Sequence, residues 1–455
     1  MARVDEWEPT ATYAKDDIVR MSDEVLTLAE IPYAETEDIF RIEALGLLWD
    51  IGVRVYAPVD SKLIPIGGDG KKVGCFLLHG GQDDWRQMDP FARLLAGKLG
   101  WKVVVGTFPG RLYLPDPSRN WPGDTIMPDG SARTPIWLDG EYISSDQYEL
   151  IKDASNRARD GVRTLARAKP GTTFYYRMAA WPAAMEVGMV EANRRHFAED
   201  EYSVYFQGHS TGGPIVCMLC QRVPNCAGVL AAENSPFGYI NGEKYAWSSL
   251  GKVEGYERLA TPVRARKDRF NDLYLRTWRD LARYRGPEAL ASEGPNALMR
   301  LPWLMEDILA EWAREAERPR FKCEYLITHN IRASLTEGAK VSAERLGMDA
   351  AQTQQLVDHF IGYTEPLRDP EAKPVPPFLF GITKSSRDHS LEVYEQVILP
   401  MFEKISPTPK FALTRFLAGT HMIMHPEPDL PMGVAPAIAK QWQDAILAGW
   451  FAPTD

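Results

Sequence analysis

The sequence predicts an α/β protein in which a mostly parallel central sheet is flanked by helices and interrupted by one large helical insertion. Short, continuously apolar runs recur along the chain, which is typical of parallel strands buried on both faces. Helical patterns alternate with these runs, as in an α/β fold. Between residues 240 and 376 the strand patterns nearly vanish, whereas arginine, glutamate, alanine and tryptophan become frequent. This segment predicts a helical insertion.

The first half of the chain begins the sheet. In chain order, we predict an antiparallel pair of strands at 39–44 and 51–57, parallel strands at 71–81 and 102–110 with a helix between them, and helices near 148–168 and 179–197. The segment 111–145 is dense in proline, glycine and aspartate. It predicts a long loop that is held by other parts of the chain or covers something.

The second half completes the sheet on both sides of the insertion. We predict strands at 202–210, 228–233, 377–383 and 411–416, a closing helix near 434–450, and insertion helices near 268–285, 303–317 and 350–361. The predicted domains are therefore a core of 1–239 and 377–455, with an excursion at 111–200, and an inserted helical domain at 240–376. An insertion after a strand end returns near the ligand-binding edge of an open sheet, so we expect it to be a cap.

Composition narrows the range of functions. Of 455 residues, 45% are hydrophobic and 25% are charged, which is enough apolar material for a large core. Lysine and arginine number 52 against 62 acidic residues, a net charge of −10. An acidic chain is a poor partner for nucleic acid or an anionic membrane surface, so we expect a small-molecule substrate. Assembly into a homo-oligomer is compatible with the sequence but is not decided by it.

The location is predicted from what the sequence lacks. The N-terminus has no basic segment followed by an apolar run, and no stretch approaches the roughly 18 apolar residues of a membrane span. Five cysteines form an odd, sparse set that suits reduced thiols better than a disulfide framework. We therefore predict a cytoplasmic protein without a membrane partner.

Residues 208–212 form a G-x-S-x-G motif around Ser210. A serine nucleophile of this kind lies on a strained turn between a strand and a helix, where glycine avoids collisions with neighbouring backbone. An apolar β-type run precedes the motif and an apolar helical run follows it, which is the context the motif requires. Ser210 is therefore the predicted nucleophile.

A second glycine motif, His79-Gly80-Gly81, ends an earlier predicted strand. A tetrahedral oxyanion needs two backbone N–H groups, one from the residue after the nucleophile and one from an earlier strand end. The predicted donors are Thr211 and either Gly81 or Gln82.

The base is expected to be a histidine late in the chain. His421 directly follows the last predicted strand and is the favoured candidate, with His425 second. The spacing of four between them suits metal ligands on a helix, but no glutamate follows His421 and Pro426 would interrupt the helix, so no metal site and no cofactor are predicted. His196, His329, His359 and His389 are expected at the surface or in caps.

Two carboxylates are candidates for the acid that orients the base. Glu233 ends the strand after the serine helix, and Asp388 follows the strand at 377–383. A carboxylate at the tip of an apolar strand is costly unless it has a partner, and a histidine N–H supplies one. Glu233 is therefore favoured, with Asp388 as the alternative.

At this point the chain resembles the α/β-hydrolase superfamily, on 208–212, 79–81 and the late 419–424. The segment 231–236 is similar to that of a smaller group of bacterial serine esterases whose acid is a glutamate. The resemblance covers about 70–110, 200–240 and 377–450. It implies an α/β-hydrolase fold, Ser210, Glu233 and His421 as catalytic triad, and a hydrolase that needs no cofactor.

The expected reaction is hydrolysis of a carboxylic ester of a small, apolar or aromatic molecule through an acyl-enzyme. Candidate substrate contacts are His79 and His209, which flank the motifs, and Trp247 and Trp278 of the insertion. The same triad hosts other chemistry, so a carbon–carbon bond hydrolase acting on a diketone or ring-cleavage product is the alternative. A non-catalytic ligand-binding member of the fold is the further alternative.

Overall fold

The structure is a computed structural model, and the fold is described for the part of the chain that it defines. The described residues are 5–6, 19–20, 24–44, 46–80, 84–114, 134–153, 163–169, 172–210, 212–234, 348–354, 373–386, 389, 391 and 394–452. The predicted cap at 240–376 lies almost wholly outside them, so its helices and its domain boundary stay predictions.

An eight-stranded sheet forms the centre of the molecule. Its strands are β1 (Tyr33–Ala44), β2 (Leu47–Pro58), β3 (Lys72–Leu78), β4 (Lys102–Gly106), β5 (Tyr202–Gly208), β6 (Cys226–Ala232), β7 (Phe378–Ser385) and β8 (Phe411–Thr420). From one edge to the other the order is β1-β2-β4-β3-β5-β6-β7-β8. Among these eight strands, β2 runs antiparallel to both of its neighbours, β1 and β4, and all the other neighbouring pairs are parallel.

The central strands are apolar because both of their faces are covered. Every residue of β5 is buried, and in β3 only the first residue is not. On one face, Leu77 and Val103 share a core with residues of two helices that the sheet carries on that side. Strand residues alternate between faces, so neighbouring positions contact the opposite helical layer. The prediction of parallel strands buried on both faces is confirmed.

Helices cover the two faces. They are α1 (Asp89–Leu99), α2 (Thr173–His196), α3 (Gly212–Leu219) and α4 (Ala435–Leu447), with shorter helical segments at Glu24–Thr27, Ser61–Leu63, Trp85–Gln87, Ser145–Gln147, Tyr394–Ile398 and Leu399–Phe402. Phe91 of α1 meets Trp442 of α4 edge to face, with ring centroids 5.4 Å apart. On the other face, α2 packs against α3 and against β1, β2 and β4.

Two elements differ from the sequence prediction. The region predicted as a helix near 148–168 instead contains two antiparallel strands, Tyr148–Asp153 and Arg163–Ala168, in register from Tyr148 with Ala168 to Asp153 with Arg163. Neither six-residue segment has a clear alternation of polar and apolar residues, and the pairing of the two strands with each other sets their structure. The first strand pair is also longer than predicted, because most of 45–50 belongs to β2. An additional pair of two-residue strands joins Asp5–Glu6 to Val19–Arg20.

The long loop at 111–145 is held at both of its described ends. Asp50, 5% exposed on β2, accepts hydrogen bonds from the Tyr113 hydroxyl at 3.0 Å and the Asp139 N–H at 2.8 Å. Trp137 is buried against Trp49, with ring centroids 5.8 Å apart.

No helix in the described parts of the chain is long and apolar enough to cross a membrane.

Candidate active site

Ser210 lies in a strained turn between β5 and α3. Its φ is +53°, in the left-handed region that non-glycine residues rarely adopt. A Cβ added to Gly208 would overlap the Gly212 carbonyl, and one added to Gly212 would lie 2.7 Å from the His79 carbonyl oxygen. The glycines of the motif are therefore required by backbone contacts, as expected of a nucleophile elbow.

Backbone hydrogen bonds fix this elbow to the ends of two neighbouring strands. The His209 N–H donates to the Leu78 carbonyl of β3 at 2.8 Å, and the Ser210 N–H donates to the Glu233 carbonyl after β6 at 3.4 Å. Ser210 is 6% exposed. The serine is thus held at the carboxyl ends of three central strands.

A buried amide pair strengthens the junction between β5 and β6. The Gln207 side chain donates to the Ala232 carbonyl at 2.7 Å and accepts from the Ala232 N–H at 3.1 Å. Asn234 donates to Gln207 Oε1 at 3.0 Å and to the Gly208 carbonyl at 2.8 Å. Sequence reasoning missed both amides, because polar residues beside a motif carry no signal of their own.

Glu233 and His421 meet beside the elbow. The Nδ1 atom of His421 lies 3.0 Å from Glu233 Oε2, and Glu233 is fully buried with a φ of +53°. A carboxylate accepts, so the proton of this hydrogen bond is on Nδ1 and the neutral ring keeps Nε2 as a proton acceptor. This is the arrangement of a base oriented by an acid.

The end of β7 supplies further donors to Glu233. Its Oε1 accepts from the Thr383 N–H at 2.6 Å and the Thr383 hydroxyl at 2.9 Å, and its Oε2 accepts from the Ser386 hydroxyl at 2.6 Å. These partners offset the cost of burying the carboxylate. Neither residue was predicted, since isolated hydroxyls after a strand are common in loops.

Imidazole rings flank His421 on two sides. The His209 ring lies 4.6 Å from it, and His209 Nε2 lies 2.9 Å from the His421 carbonyl oxygen. The His389 ring lies 5.6 Å from it, centroid to centroid. The expectation that His389 lies at the surface or in caps is wrong, because it is 4% exposed and lies beside His421. His196 is half-buried against Asp38, and His425 is exposed.

His79 joins two strand ends and is fully buried. Its Nδ1 lies 2.6 Å from the Gly80 carbonyl oxygen, and its Nε2 accepts the Phe108 N–H at 3.1 Å. Burial, with a contribution from the positive charge of Arg111, holds the pKa of His79 well below its ordinary value. A role of His79 and His209 in substrate contact stays a prediction.

Several predicted site residues lie outside the described part of the chain. These are the oxyanion-hole candidates Thr211, Gly81 and Gln82, the alternative acid Asp388, and the substrate-contact candidates Trp247 and Trp278. Described residues border the oxyanion-hole candidates: Ser210 and Gly212 flank Thr211, and Gly80 and Asp84 flank the segment 81–83.

One group of the described side chains has donors of the kind that a metal takes. Ligand-type atoms of Glu233, His389 and His421 lie within 4.8 Å of one another. Both carboxylate oxygens of Glu233 and the Nδ1 atoms of His421 and His389 already make protein hydrogen bonds, the last with the Tyr394 hydroxyl at 3.3 Å. We therefore treat the three side chains as a hydrogen-bonded cluster.

Sheet order, one antiparallel second strand and a glycine-flanked serine at positive φ between β5 and α3 together define the α/β-hydrolase fold. The S-formylglutathione hydrolase of Agrobacterium tumefaciens is a similar solved structure, with 11% identity, 92% of this chain and 100% of that chain covered, and a TM-score of 0.36. Another is Est1E from Butyrivibrio proteoclasticus, with 12% identity, coverage of 90% and 98%, and a TM-score of 0.35.

The peroxisomal alpha-beta-hydrolase Lpx1 of Saccharomyces cerevisiae is also similar, with 9% identity, 93% of this chain and 91% of that chain covered, and a TM-score of 0.36. No protein-family model and no curated protein matches the sequence.

Proposed function

We propose that this chain is a serine hydrolase that cleaves a carboxylic ester of a small, apolar or aromatic molecule through an acyl-enzyme. The observation that supports the proposal most strongly is the 3.0 Å contact between His421 Nδ1 and Glu233 Oε2 beside the elbow serine. A buried carboxylate that orients an imidazole next to a strained serine is suited to activating that serine.

In the proposed first step, the Ser210 hydroxyl attacks the ester carbonyl carbon while His421 Nε2 accepts its proton. Glu233 stabilises the resulting imidazolium through its hydrogen bond to Nδ1. The oxyanion is assigned to the N–H groups of Thr211 and of Gly81 or Gln82. As the intermediate collapses, the carbon–oxygen bond to the alcohol breaks, and His421 gives its proton to the departing alcohol.

In the second step, water attacks the acyl carbon and gives a proton to His421. The bond to Ser210 breaks, the carboxylic acid leaves, and the proton returns to the serine oxygen. Every proton is thus moved between substrate, water and these side chains. The segment at 240–376 is proposed to be a cap that selects the substrate, with Trp247 and Trp278 among its candidate contacts.

The test is labelling of the purified protein with a small fluorophosphonate, read by intact mass and peptide mapping. We expect a single adduct on Ser210 that His421→Ala abolishes, because the unactivated hydroxyl reacts slowly. His425→Ala is the matched control, since His425 is exposed and only four residues away, and it should label as the wild type does. A folded wild-type protein that forms no adduct, or forms it elsewhere, would contradict the proposal.

Initial rates on activated esters and on diketones then test the bond that is cleaved. We expect turnover of the esters. Turnover of diketones alone would assign carbon–carbon hydrolysis to the same residues instead.

A further inference from the structure

The end of β7 and the residue directly after it present hydrogen-bond donors to a carboxylate that follows another strand. Thr383 and Ser386 together make three hydrogen bonds to Glu233, at 2.6, 2.9 and 2.6 Å. Glu233 itself follows β6. Two strand ends therefore build the surroundings of the proposed acid.

The Ser386 hydroxyl has a fixed direction. It accepts the His389 N–H at 3.1 Å and donates to Glu233 Oε2 at 2.6 Å. His389 is held in turn by the Tyr394 hydroxyl, which donates to the Asn234 carbonyl. A hydroxyl that accepts from one side has its proton available for the other, so the proton of Ser386 points at the carboxylate.

The same carboxylate oxygen serves two donors. Oε2 of Glu233 accepts from Ser386 and lies 3.0 Å from His421 Nδ1. Thr383 occupies the other oxygen. Rotation of the carboxylate would break several of these bonds together, and the donor on Oε2 also draws electron density away from the bond to His421.

We propose that Ser386 is a positioning residue, which fixes Oε2 of Glu233 toward His421 and sets how strongly this carboxylate stabilises the charged imidazole. The assignment rests on the proposed serine-hydrolase function. Among the described residues, the titratable groups that face His421 are Glu233, His209 and His389, with Tyr394 beyond His389. Burial, and next the charge of Glu233, raise the pKa of Tyr394 far above its ordinary value, so it stays neutral.

The sign of the effect follows from charge. Without the Ser386 proton, Oε2 keeps more negative charge and favours the protonated form of His421. The pKa of His421 should rise, and the acidic limb of kcat/KM should move to higher pH by about half a unit. Less precise orientation should lower kcat by about tenfold, as expected for a hydrogen bond to a charged group.

The experiment compares Ser386→Ala with Ser385→Ala, an exposed neighbour on the same strand end. Ser386→Thr keeps a hydroxyl, so its kcat and the acidic limb of its kcat/KM profile should match those of the wild type. If Ser386→Ala does not fold, Ser386→Cys replaces the hydroxyl with a thiol of similar size that is a weaker donor. It should lower kcat and move the acidic limb of kcat/KM to higher pH, as expected for Ser386→Ala. The pKa of His421, measured by NMR on protein with 15N-labelled histidine, is a readout that needs no turnover.

Two results would overturn the assignment. One is a Ser386→Ala enzyme with the same kcat, the same acidic limb and the same His421 pKa as Ser385→Ala. The other is a lower kcat with an unmoved limb that Ser386→Thr does not restore, which would make Ser386 merely structural. Failure of wild-type labelling at Ser210 would instead contradict the proposed function, and the NMR titration would still report on the Ser386 contact.

Discussion

Among single residues, Glu233 connects the largest part of the candidate site, because its carboxylate contacts both His421 and the end of β7. It is buried, it has a positive φ, and its carboxylate is 3.0 Å from His421. We expect Glu233→Gln to lower kcat/KM on an activated ester by about a thousandfold or more, because a neutral amide cannot stabilise the imidazolium. Asp388→Asn is the matched change and should cost little. A larger loss in Asp388→Asn would transfer the acid role to Asp388.

The motif glycines give a second residue-scale prediction. A methyl group at Gly212 would lie 2.7 Å from the His79 carbonyl oxygen, whereas at Gly381 it would first meet the Phe416 ring at 3.1 Å. Backbone cannot yield as a side chain can, so Gly212→Ala should lower the free energy of unfolding by about 3 kcal/mol and Gly381→Ala by less. Urea unfolding measures both, and equal losses would contradict the steric argument.

A functional residue could be predicted from the sequence where its neighbours in the chain form a recognisable pattern. Ser210 has flanking glycines, and Glu233 was favoured because a charge at the tip of an apolar strand requires a partner. The structure adds the 3.0 Å contact between Glu233 and His421. Ser386 and His389 leave no such local pattern. Ser386 contacts Glu233, more than 150 positions away in the chain. His389 contacts His421, which lies on another loop.

At the scale of elements, buried strands were easier to predict than the segments around them. The largely apolar runs of β3 and β5 are most stable when both faces of the strand are buried. The strand pair Tyr148–Asp153 and Arg163–Ala168 differs from the predicted helix because each strand is six residues long, too short for a period to be read securely. Pairing between the two halves, which is not local, decided the outcome.

The connection between the excursion and the sheet can be tested on Arg177 of α2. It makes a 2.8 Å ion pair with Glu141, donates to the Leu48 carbonyl at 2.6 Å and lies over the rings of Trp49 and Trp137. Burial lowers the pKa of Arg177, and Glu141 opposes this.

We expect Arg177→Ala to lower the free energy of unfolding by about 3 kcal/mol, since it removes a buried guanidinium together with its ion pair to the half-buried Glu141, its hydrogen bond to the Leu48 carbonyl and its contacts with two tryptophan rings. Arg195→Ala on the same helix removes a 39% exposed arginine and should cost less than about 1 kcal/mol. Urea unfolding compares the two variants. Equal stabilities would mean that the excursion is held by its other contacts.

At the scale of the whole molecule, the site exists because five strand ends meet at one edge. The candidate residues follow β3, β5, β6, β7 and β8, which are neighbours in the sheet although they are far apart in the chain. Ligands of open α/β sheets bind at this edge for the same reason. The segment 240–376 could be predicted only as an insertion, since helical patterns in a sequence do not define how such a segment meets the core.

Acid should destabilise the whole fold through its buried histidines. Burial holds the pKa of His79 well below the ordinary 6.5 and also lowers that of His196, against a contribution from Asp38 that raises it. Below pH 6.5 the unfolded chain therefore binds protons that the folded chain does not. The free energy of unfolding should then fall with decreasing pH, by up to about 1.4 kcal/mol per pH unit for each such histidine, and should level off above pH 7.

His196→Gln tests this origin of the pH dependence. It removes one histidine whose pKa burial lowers, so the slope of unfolding free energy against pH between pH 5 and 6.5 should become smaller than in the wild type. His425→Gln removes an exposed histidine and should leave the slope unchanged. Urea unfolding at several pH values gives the slopes. If His196→Gln and His425→Gln have the same slope as the wild type, burial of His196 does not contribute to the acid sensitivity, and a wild-type slope near zero would remove the contribution of His79 as well.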